Sequence, residues 1–261
     1  MKVKFKRAKS ILWALGYVGI FYIVSMVIPG LYLAKENGSS YSTISDSLAN
    51  NMYSLSVISM ICAFWTYLII RIIRRKPEWM FIKSRKTSRM VIVMAVLFAF
   101  GCRILVSVYY GVSQNIGVLK NSIEEASLMA PEIITPVQIV VALLASVIIA
   151  PLFEEFLFRG LVFQELLLVM RPWAANVIQA LLFGVAHGVL FQSLFSFVLG
   201  MILGEIYHKT KNLTVSVVCH SVFNASVIFA QTEINLLSGI VMSVLGLLLC
   251  AFSFTYIVKS K

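Results

Sequence analysis

The chain is poor in charge, and poorest in acidic charge. Only 13% of its 261 residues are Asp, Glu, Lys or Arg, and just 11 of them are acidic. Soluble domains carry about 25% charged residues. Hydrophobic residues make up 60% of the chain, and the mean hydropathy is +0.92. Because this leaves too little polar surface to face water on all sides, a soluble globular protein is excluded. The length fits a single membrane domain, 1–261.

The chain also lacks the common cysteine and metal patterns. Its cysteines, Cys62, Cys102, Cys219 and Cys250, all stand inside apolar runs and form no CxxC pair. We therefore expect buried, inert thiols. The sequence contains no HExxH pair, which is the usual arrangement of two zinc-binding histidines on one helix.

Long apolar segments predict an all-α, polytopic membrane helical bundle. A helix needs about 20 apolar residues to cross the hydrocarbon core of a bilayer. We predict about eight transmembrane helices, at 11–33, 52–73, 90–112, 136–158, 173–191, 193–207, 213–230 and 234–257. The first segment is longer than the apolar part of a signal peptide, so we expect a membrane helix there and no cleaved signal.

The basic residues alternate regularly with these segments. Of the 22 Lys and Arg, 19 fall at the two termini or after the second, fourth and sixth segments. Lys and Arg collect on the cytoplasmic side of membrane proteins, so both termini are predicted to be cytoplasmic. The net charge of +11 then reflects anchoring to the lipid bilayer, where basic residues meet anionic lipid. Nucleic acid is not expected as a partner.

Several polar side chains stand inside the predicted spans of the second half. Such groups are costly in lipid and are therefore functional candidates. They are Glu154, Glu155 and Arg159 at the end of the fourth segment, His187 in the fifth, and His220 and Asn224 in the seventh. Taken singly, each also has a structural interpretation, as an interfacial salt bridge or as a hydrogen bond between helices.

Helical spacing sorts these residues into faces. Neighbouring residues point about 100° apart, so Glu154 and Glu155 cannot face the same site. Glu155 and Arg159 are i,i+4 neighbours in the order that favours ion pairing, which leaves Glu154 for another face. His220 and Asn224 share one face of their helix. A carboxylate, two imidazoles and an amide that converged within a bundle could activate a water and stabilise an oxyanion.

The polar residues fall into three ordered motifs. These are Glu154-Glu155-x-x-x-Arg159, Phe183-x-x-x-His187 and His220-x-x-x-Asn224. Together they resemble the motifs of the CAAX-protease and bacteriocin-processing (CPBP, or Abi) family, which includes the type II CAAX prenyl endopeptidases. The resemblance covers residues 136–230, which we interpret as the catalytic core of the membrane domain.

The resemblance implies an intramembrane endopeptidase of a bacterial cell membrane, with a membrane-associated peptide or protein as its substrate. By the resemblance, Glu154 is the general base that activates water, and His187 assists it. His220 and Asn224 would stabilise the oxyanion. Glu155 and Arg159 would brace the helix end.

The sequence leaves the metal dependence of this chemistry open. The family is often labelled metalloprotease, because Glu154, His187 and His220 could also bind Zn²⁺. A catalytic zinc site takes three protein ligands and a water, so the number of ligands does not decide. The missing HExxH pair favours chemistry without a metal, and Zn²⁺ stays an alternative cofactor.

Two other classes of function remain as alternatives. A non-catalytic member of the same family would act as a membrane-bound binding, regulatory or immunity-type protein. A proton or ion transporter would also use buried Glu and His, but the sequence shows no repeat symmetry of the kind common in transporters. For a bacterial host, a leader peptide, bacteriocin or signalling peptide is a better substrate than a prenylated protein.

Overall fold

The structure is a computed structural model that describes residues 2–34, 41–75, 86–129, 135–226 and 236–260, which form helices and turns with no strand. The α-helices are α1 (Lys2–Leu33), α2 (Tyr41–Ile73), α3 (Arg89–Ser113), α4 (Gly117–Met129), α5 (Pro136–Leu143), α6 (Ala150–Glu155), α7 (Phe163–Leu167), α8 (Pro172–Val185), α9 (Leu190–Thr210), α10 (Leu213–Ser226) and α11 (Leu236–Lys259). Two π-helical stretches, π1 (Leu144–Ile149) and π2 (Phe156–Val162), join α5, α6 and α7 into one continuous helix.

Six of the described helical segments are long and apolar enough to cross a membrane. They are Arg7–Leu33, Ser47–Ile73, Arg89–Ser113, Pro136–Leu167, Leu190–Thr210 and Leu237–Lys259. The short apolar helices α8 and α10 correspond to the fifth and seventh predicted segments. The all-helical, polytopic class is therefore confirmed, whereas eight spans and cytoplasmic termini stay predictions. Residues 76–85 of the basic loop, 227–230 of the seventh segment and 234–235 of the eighth lie outside the described residues.

The boundaries of two predicted segments are wrong. The fourth was predicted to end at residue 158, but the helix continues to Leu167. The fifth was predicted to run to residue 191, but α8 ends at Val185. Gly188 follows with a φ of +80°, a backbone conformation that ends a helix and that glycine adopts without strain. Helix α4 was not predicted.

The helices form two compact units. The first unit consists of Met1–Phe81 and Met129–Val169 and contains α1, α2 and the continuous helix from α5 to α7. The second unit consists of Ile82–Leu128 and Met170–Lys261 and contains α3, α4 and α8 to α11.

Aromatic side chains join the helices of the first unit. The Tyr67 hydroxyl on α2 donates a 2.7 Å hydrogen bond to the carbonyl oxygen of Tyr17 on α1. The Tyr67 ring also stacks on Phe153 of α6, with 6.2 Å between centroids. Phe153 in turn lies 5.0 Å from the Phe21 ring of α1. One group of rings thus holds α6 against both α1 and α2.

A group of charged and aromatic side chains, which we call the Glu165 cluster, joins α7 to α1 and α2. It consists of Glu165, Arg71, Arg74, Tyr17 and Trp13. Glu165 Oε1 accepts a 2.7 Å hydrogen bond from Arg74 Nη1 and lies 3.5 Å from Arg71 Nη1. Arg74 Nη1 also donates to the Tyr17 hydroxyl at 2.8 Å, and its guanidinium lies 4.0 Å over the Trp13 ring. Arg71 and Glu165 are fully buried.

The Glu165 cluster explains why the fourth segment extends past its predicted end. Arg159 and Glu165 interrupt the apolar run of the sequence and so suggest that the span has ended. In the structure both charges are compensated inside the first unit, Arg159 by Glu155 and Glu165 by the two arginines. Arg71 and Arg74 are among the 19 basic residues that the charge distribution assigns to the cytoplasmic side, and the structure gives both the further role of pairing with Glu165.

Close approach between helices dominates the core of the second unit. A Cβ added to Gly101 of α3 would lie 2.7 Å from Cys250 Sγ of α11, and one added to Gly246 would lie 2.9 Å from Leu105. Small residues at such contacts let backbones approach each other in a membrane. The sulfur atoms of Cys102 and Cys250 are 3.8 Å apart. All four cysteines are free thiols. Cys102 and Cys219 are buried as predicted, whereas Cys62 and Cys250 are only half-buried, so the prediction of burial is wrong for these two.

We predict that Glu165→Gln destabilises the first unit by about 3 kcal/mol, because it leaves the buried arginines without their counter-charge. The matched control is Glu125→Gln, which removes a carboxylate from an exposed position of α4. Thermal unfolding of both purified variants measures the effect. Equal midpoints for the two variants would contradict a structural role of the Glu165 cluster.

Candidate active site

Glu154 and Glu155 end α6, between the two π-helical stretches. The wide turns of a π-helix are rare in proteins and are frequent at functional sites. Pro151 contributes to this local shape, because a proline has no N–H and its ring clashes with the carbonyl four residues earlier in a regular α-helix. The π1 stretch ends immediately before α6 and relieves this clash. The first motif therefore lies on an irregular part of the continuous helix from α5 to α7.

The predicted pair of Glu155 and Arg159 is present. Arg159 Nη1 donates to Glu155 Oε1 at 2.8 Å, and both side chains are fully buried. Glu154, by contrast, is only half-buried. The two neighbouring carboxylates thus have different surroundings, as their angular separation on the helix requires. Within this motif, Glu155 is held in an ion pair, whereas Glu154 lies on a different face of the helix.

The structure corrects the position of His187. It was predicted within a span but lies in the four-residue turn between α8 and α9. Its Nδ1 is 2.9 Å from the carbonyl oxygen of Phe183. Because a carbonyl oxygen can only accept, this contact assigns the proton to Nδ1, and Nε2 of the neutral imidazole keeps its lone pair. Nε2 is therefore the nitrogen that can accept a proton or a hydrogen bond.

The Phe183 ring brings the histidines of two motifs together within the second unit. Its centroid is 4.8 Å from that of His187 and 5.8 Å from that of His220, with both imidazoles in edge-to-face orientation. His220 is buried on α10, at 3% exposure. Asn224 follows one turn later on the same helix and is half-buried. The sequence motif contains Phe183, but its contact with both imidazoles could not be predicted from spacing.

A network of side-chain amides holds α8 and α9 together beside these histidines. Gln179 Nε2 donates to the carbonyl oxygen of Gly200 at 3.0 Å and to Asn176 Oδ1 at 2.7 Å. Asn176 Nδ2 donates to the carbonyl oxygen of Met201 at 2.8 Å. Sequence reasoning missed these two residues. The sequence feature that could have revealed them is a pair of side-chain amides one helical turn apart within an apolar segment.

Glycines allow the close contact that this network requires. A Cβ added to Gly184 would lie 2.7 Å from the carbonyl oxygen of Ser193, and one added to Gly200 would lie 3.1 Å from the Phe183 ring. Helices α8 and α9 therefore pack backbone against backbone on both sides of the turn that carries His187. Gly188 has open space around it and serves the turn through its backbone conformation.

The residues predicted to form the site are divided between the two units. Glu154, Glu155 and Arg159 belong to the first, and His187, His220 and Asn224 belong to the second. Within the first unit the structure pairs Glu155 with Arg159, and within the second it places His187 and His220 against Phe183.

A metal ion at this site would need several side-chain ligands close together. The second unit supplies two imidazoles, which is one protein ligand fewer than a catalytic zinc site takes. Across the part of the chain that the structure describes, no three His, Cys, Asp or Glu side chains are grouped to hold a metal ion. The third candidate ligand, Glu154, belongs to the first unit, and Zn²⁺ stays the alternative cofactor.

Comparisons with known proteins agree with the motifs. A family model described as type II CAAX prenyl endopeptidase, Rce1-like, matches residues 136–226, which contain all three motifs. The chain is 26% identical over 231 residues to the membrane-embedded CAAX protease MroQ of Staphylococcus aureus (strain USA300), covering 84% of this chain and 90% of MroQ. It is also 26% identical over 179 residues to the membrane peptidase YdiL of Bacillus subtilis (strain 168), covering 68% of this chain and 71% of YdiL. No solved structure matches.

These matches make the chain similar to the CPBP family over the segment that carries the three motifs. Its apolar helices and its bacterial relatives make it an integral, multi-pass protein of a bacterial membrane. The names of the CPBP relatives support a membrane protease.

We predict that Gly204→Ala disrupts the amide network, because the new methyl group would overlap Asn176 Oδ1 and lie 2.6 Å from Gln179 Nε2. Such overpacking typically costs about 1–3 kcal/mol. The control is Gly117→Ala, where no atom lies within 4 Å of the added methyl. Unfolding midpoints, with hydrogen exchange of the Pro172–Val185 amides, measure the effect. Unchanged exchange in Gly204→Ala would show that the network does not hold α8.

Proposed function

We propose that the protein is an intramembrane endopeptidase that cleaves a peptide bond in a membrane-associated peptide or protein. The observation that carries this proposal is the contact of His187 and His220 with one Phe183 ring. Two imidazoles from separate motifs share one packed environment, and the Phe183 carbonyl orients one of them. The family match over residues 136–226 supplies the link to the Glu154 motif.

In the proposed reaction, Glu154 removes a proton from a water as the water oxygen attacks the carbonyl carbon of the peptide bond. His187 assists through Nε2, which can accept a hydrogen bond from the water. The carbonyl electrons move to oxygen and form an oxyanion. The C–N bond then breaks as the proton held by Glu154 passes to the leaving nitrogen, which gives a carboxylic acid and an amine.

His220 and Asn224 stabilise the oxyanion in this proposal. Both side chains can donate an N–H hydrogen bond, and they follow each other by one turn of α10. Donors that face a developing oxyanion act most strongly where water is excluded. The burial of His220 fits that requirement.

The ion pair of Glu155 and Arg159 gives Glu154 its separate role. A carboxylate whose oxygen is bound by a buried guanidinium is less accessible to a catalytic water. Glu155 is in that position, with Arg159 at 2.8 Å. We propose that the pair braces the helix and leaves Glu154 as the base.

We propose a bacterial peptide as the substrate, such as a leader peptide, a bacteriocin or a signalling peptide. Both curated relatives are bacterial, and the name of MroQ describes a membrane-embedded CAAX protease. Metal dependence is a separate question, with Zn²⁺ as the alternative cofactor.

We also propose that α8 and α10 are two of eight membrane segments, with both termini in the cytoplasm. The support is the distribution of Lys and Arg along the chain. The two helices have 14 residues each and are about 21 Å long at 1.5 Å per residue. Helices of this length suit segments that are surrounded by other helices.

We expect Glu154→Gln and His187→Ala to abolish peptide cleavage, since they remove the base and its partner. Asn224→Ala should lower kcat by about 10²–10³-fold, the usual effect of losing one oxyanion donor. Mass spectrometry of membrane peptides from cells with wild-type protein or Glu154→Gln identifies candidate substrates, and cleavage of these by purified protein gives the rates. Glu125→Gln is the matched control.

Two results would contradict the protease proposal. Normal cellular activity of both Glu154→Gln and His187→Ala, at normal protein levels, would favour a binding or regulatory protein. Ion flux into liposomes that depends on Glu154 would favour a transporter.

The proposed topology predicts that reporters fused to the N- and C-termini are both active in the cytoplasm. In the same cells, Lys120→Cys should react with a thiol reagent that cannot cross the membrane, because this position of α4 is exposed and is predicted to lie outside. Lys209→Cys serves as the cytoplasmic control and should react only after the membrane is opened. A C-terminal reporter that is active outside the cell would contradict eight spans.

A further inference from the structure

Helix α9 begins directly after the turn that carries His187, and it begins without a side-chain cap of its own. Its N-cap residue is Val189, whose side chain makes no capping hydrogen bond because it has no polar atom. The first N–H groups of any helix lack partners within the helix. In a lipid environment an acceptor must come from elsewhere in the protein, because water is scarce.

Ser122 of α4 supplies that acceptor. The Phe191 backbone N–H, at the second position of α9, donates to Ser122 Oγ at 2.9 Å. The two residues are 69 positions apart in sequence, so one helix caps another across the second unit. Ser122 is 6% exposed, whereas Glu124 and Glu125 of the same helix are exposed. The serine therefore lies on the inward face of α4.

Tyr109, near the end of α3, holds the same residue from another direction. Its ring stacks on the Phe191 ring, with centroids 4.9 Å apart and an interplanar angle of 7°. The Tyr109 hydroxyl also donates to the Phe191 carbonyl oxygen at 3.3 Å. Phe191 is thus fixed at its N–H, its carbonyl and its ring. Ser122 accepts the hydrogen bond from the N–H, and Tyr109 contacts the carbonyl and the ring.

The turn between Phe191 and His187 is short and closely bonded. The Val189 N–H donates to the His187 carbonyl oxygen at 3.0 Å, and the His187 N–H donates to the Gly184 carbonyl oxygen at 3.1 Å. Gly188 between them has a φ of +80°. A shift at the start of α9 therefore reaches His187 through only three residues, Gly188, Val189 and Leu190.

We propose that Ser122 is a positioning residue for His187. Its hydroxyl caps α9, fixes the turn and so sets where Nε2 of His187 is presented to the reacting groups. This inference rests on the proposed peptidase function. Ser122 itself lies one helix away from the chemistry and acts through Phe191.

The test compares three variants of the full chain. Ser122→Ala removes the acceptor, and Ser122→Thr keeps a hydroxyl at the same position. Ser127→Ala is the matched control, because the Ser127 hydroxyl bonds to the Ile123 carbonyl within α4 itself. Each variant is purified, and its thermal midpoint is measured so that a general loss of stability is recognised.

Two readouts are expected to change together. Hydrogen exchange of the Phe191 amide should become roughly fivefold faster in Ser122→Ala, the equivalent of losing one helix cap. The kcat for peptide cleavage should fall by about tenfold at unchanged KM, since small displacements of catalytic groups reduce rate more than binding. Ser122→Thr should restore both values, and Ser127→Ala should alter neither.

The possible results separate this inference from the proposed function. Unchanged exchange at Phe191 in Ser122→Ala would overturn the cap. Faster exchange with unchanged kcat would overturn the positioning role and leave a purely structural contact. If the wild-type protein cleaves no peptide, the proposed function fails and the positioning role fails with it, while faster exchange in Ser122→Ala would still establish the cap.

Discussion

The first unit depends on the pairing of charges that have been removed from water. An ionised group inside a membrane protein is stable only beside a compensating charge or hydrogen bonds. Glu155 has Arg159, and Glu165 has Arg71 and Arg74. These pairs compensate the buried charges of the continuous helix that runs from Pro136 to Leu167. They also fix α7 to α1 and α2 and distinguish Glu154 from its neighbour.

The second unit follows a different physical rule. Helices in lipid gain little from the hydrophobic effect when they associate, so they rely on close packing and on hydrogen bonds between helices. Gly184, Gly200 and Gly204 let α8 and α9 approach each other, and the amides of Asn176 and Gln179 bond across the contact. Each glycine lacks the methyl group that would collide with the neighbouring helix. The short turn with His187 is therefore held firmly at both ends.

The parts of the structure that local patterns determine could be predicted from the sequence. Composition and the length of the apolar runs gave the helical membrane class, and i,i+4 spacing gave the pair of Glu155 and Arg159. The partners of Glu165 stand 91 and 94 residues away, and local spacing carries no information about such contacts. The same limit applies to Ser122 and Phe191. The turn at His187 was missed because apolar residues continue across Gly188, so hydropathy alone showed no break.

The position of the imidazoles illustrates how packing holds side chains in place for the proposed chemistry. The Phe183 carbonyl holds Nδ1 of His187, and the Phe183 ring contacts both His187 and His220. Phe183 is itself held because Gly200 on α9 leaves room for its ring. Catalytic groups must be held to within about 0.5 Å of their working positions, and rigid neighbours achieve this better than the reacting groups themselves. The orientation of Nε2 therefore depends as much on the missing side chains of Gly184 and Gly200 as on the histidine.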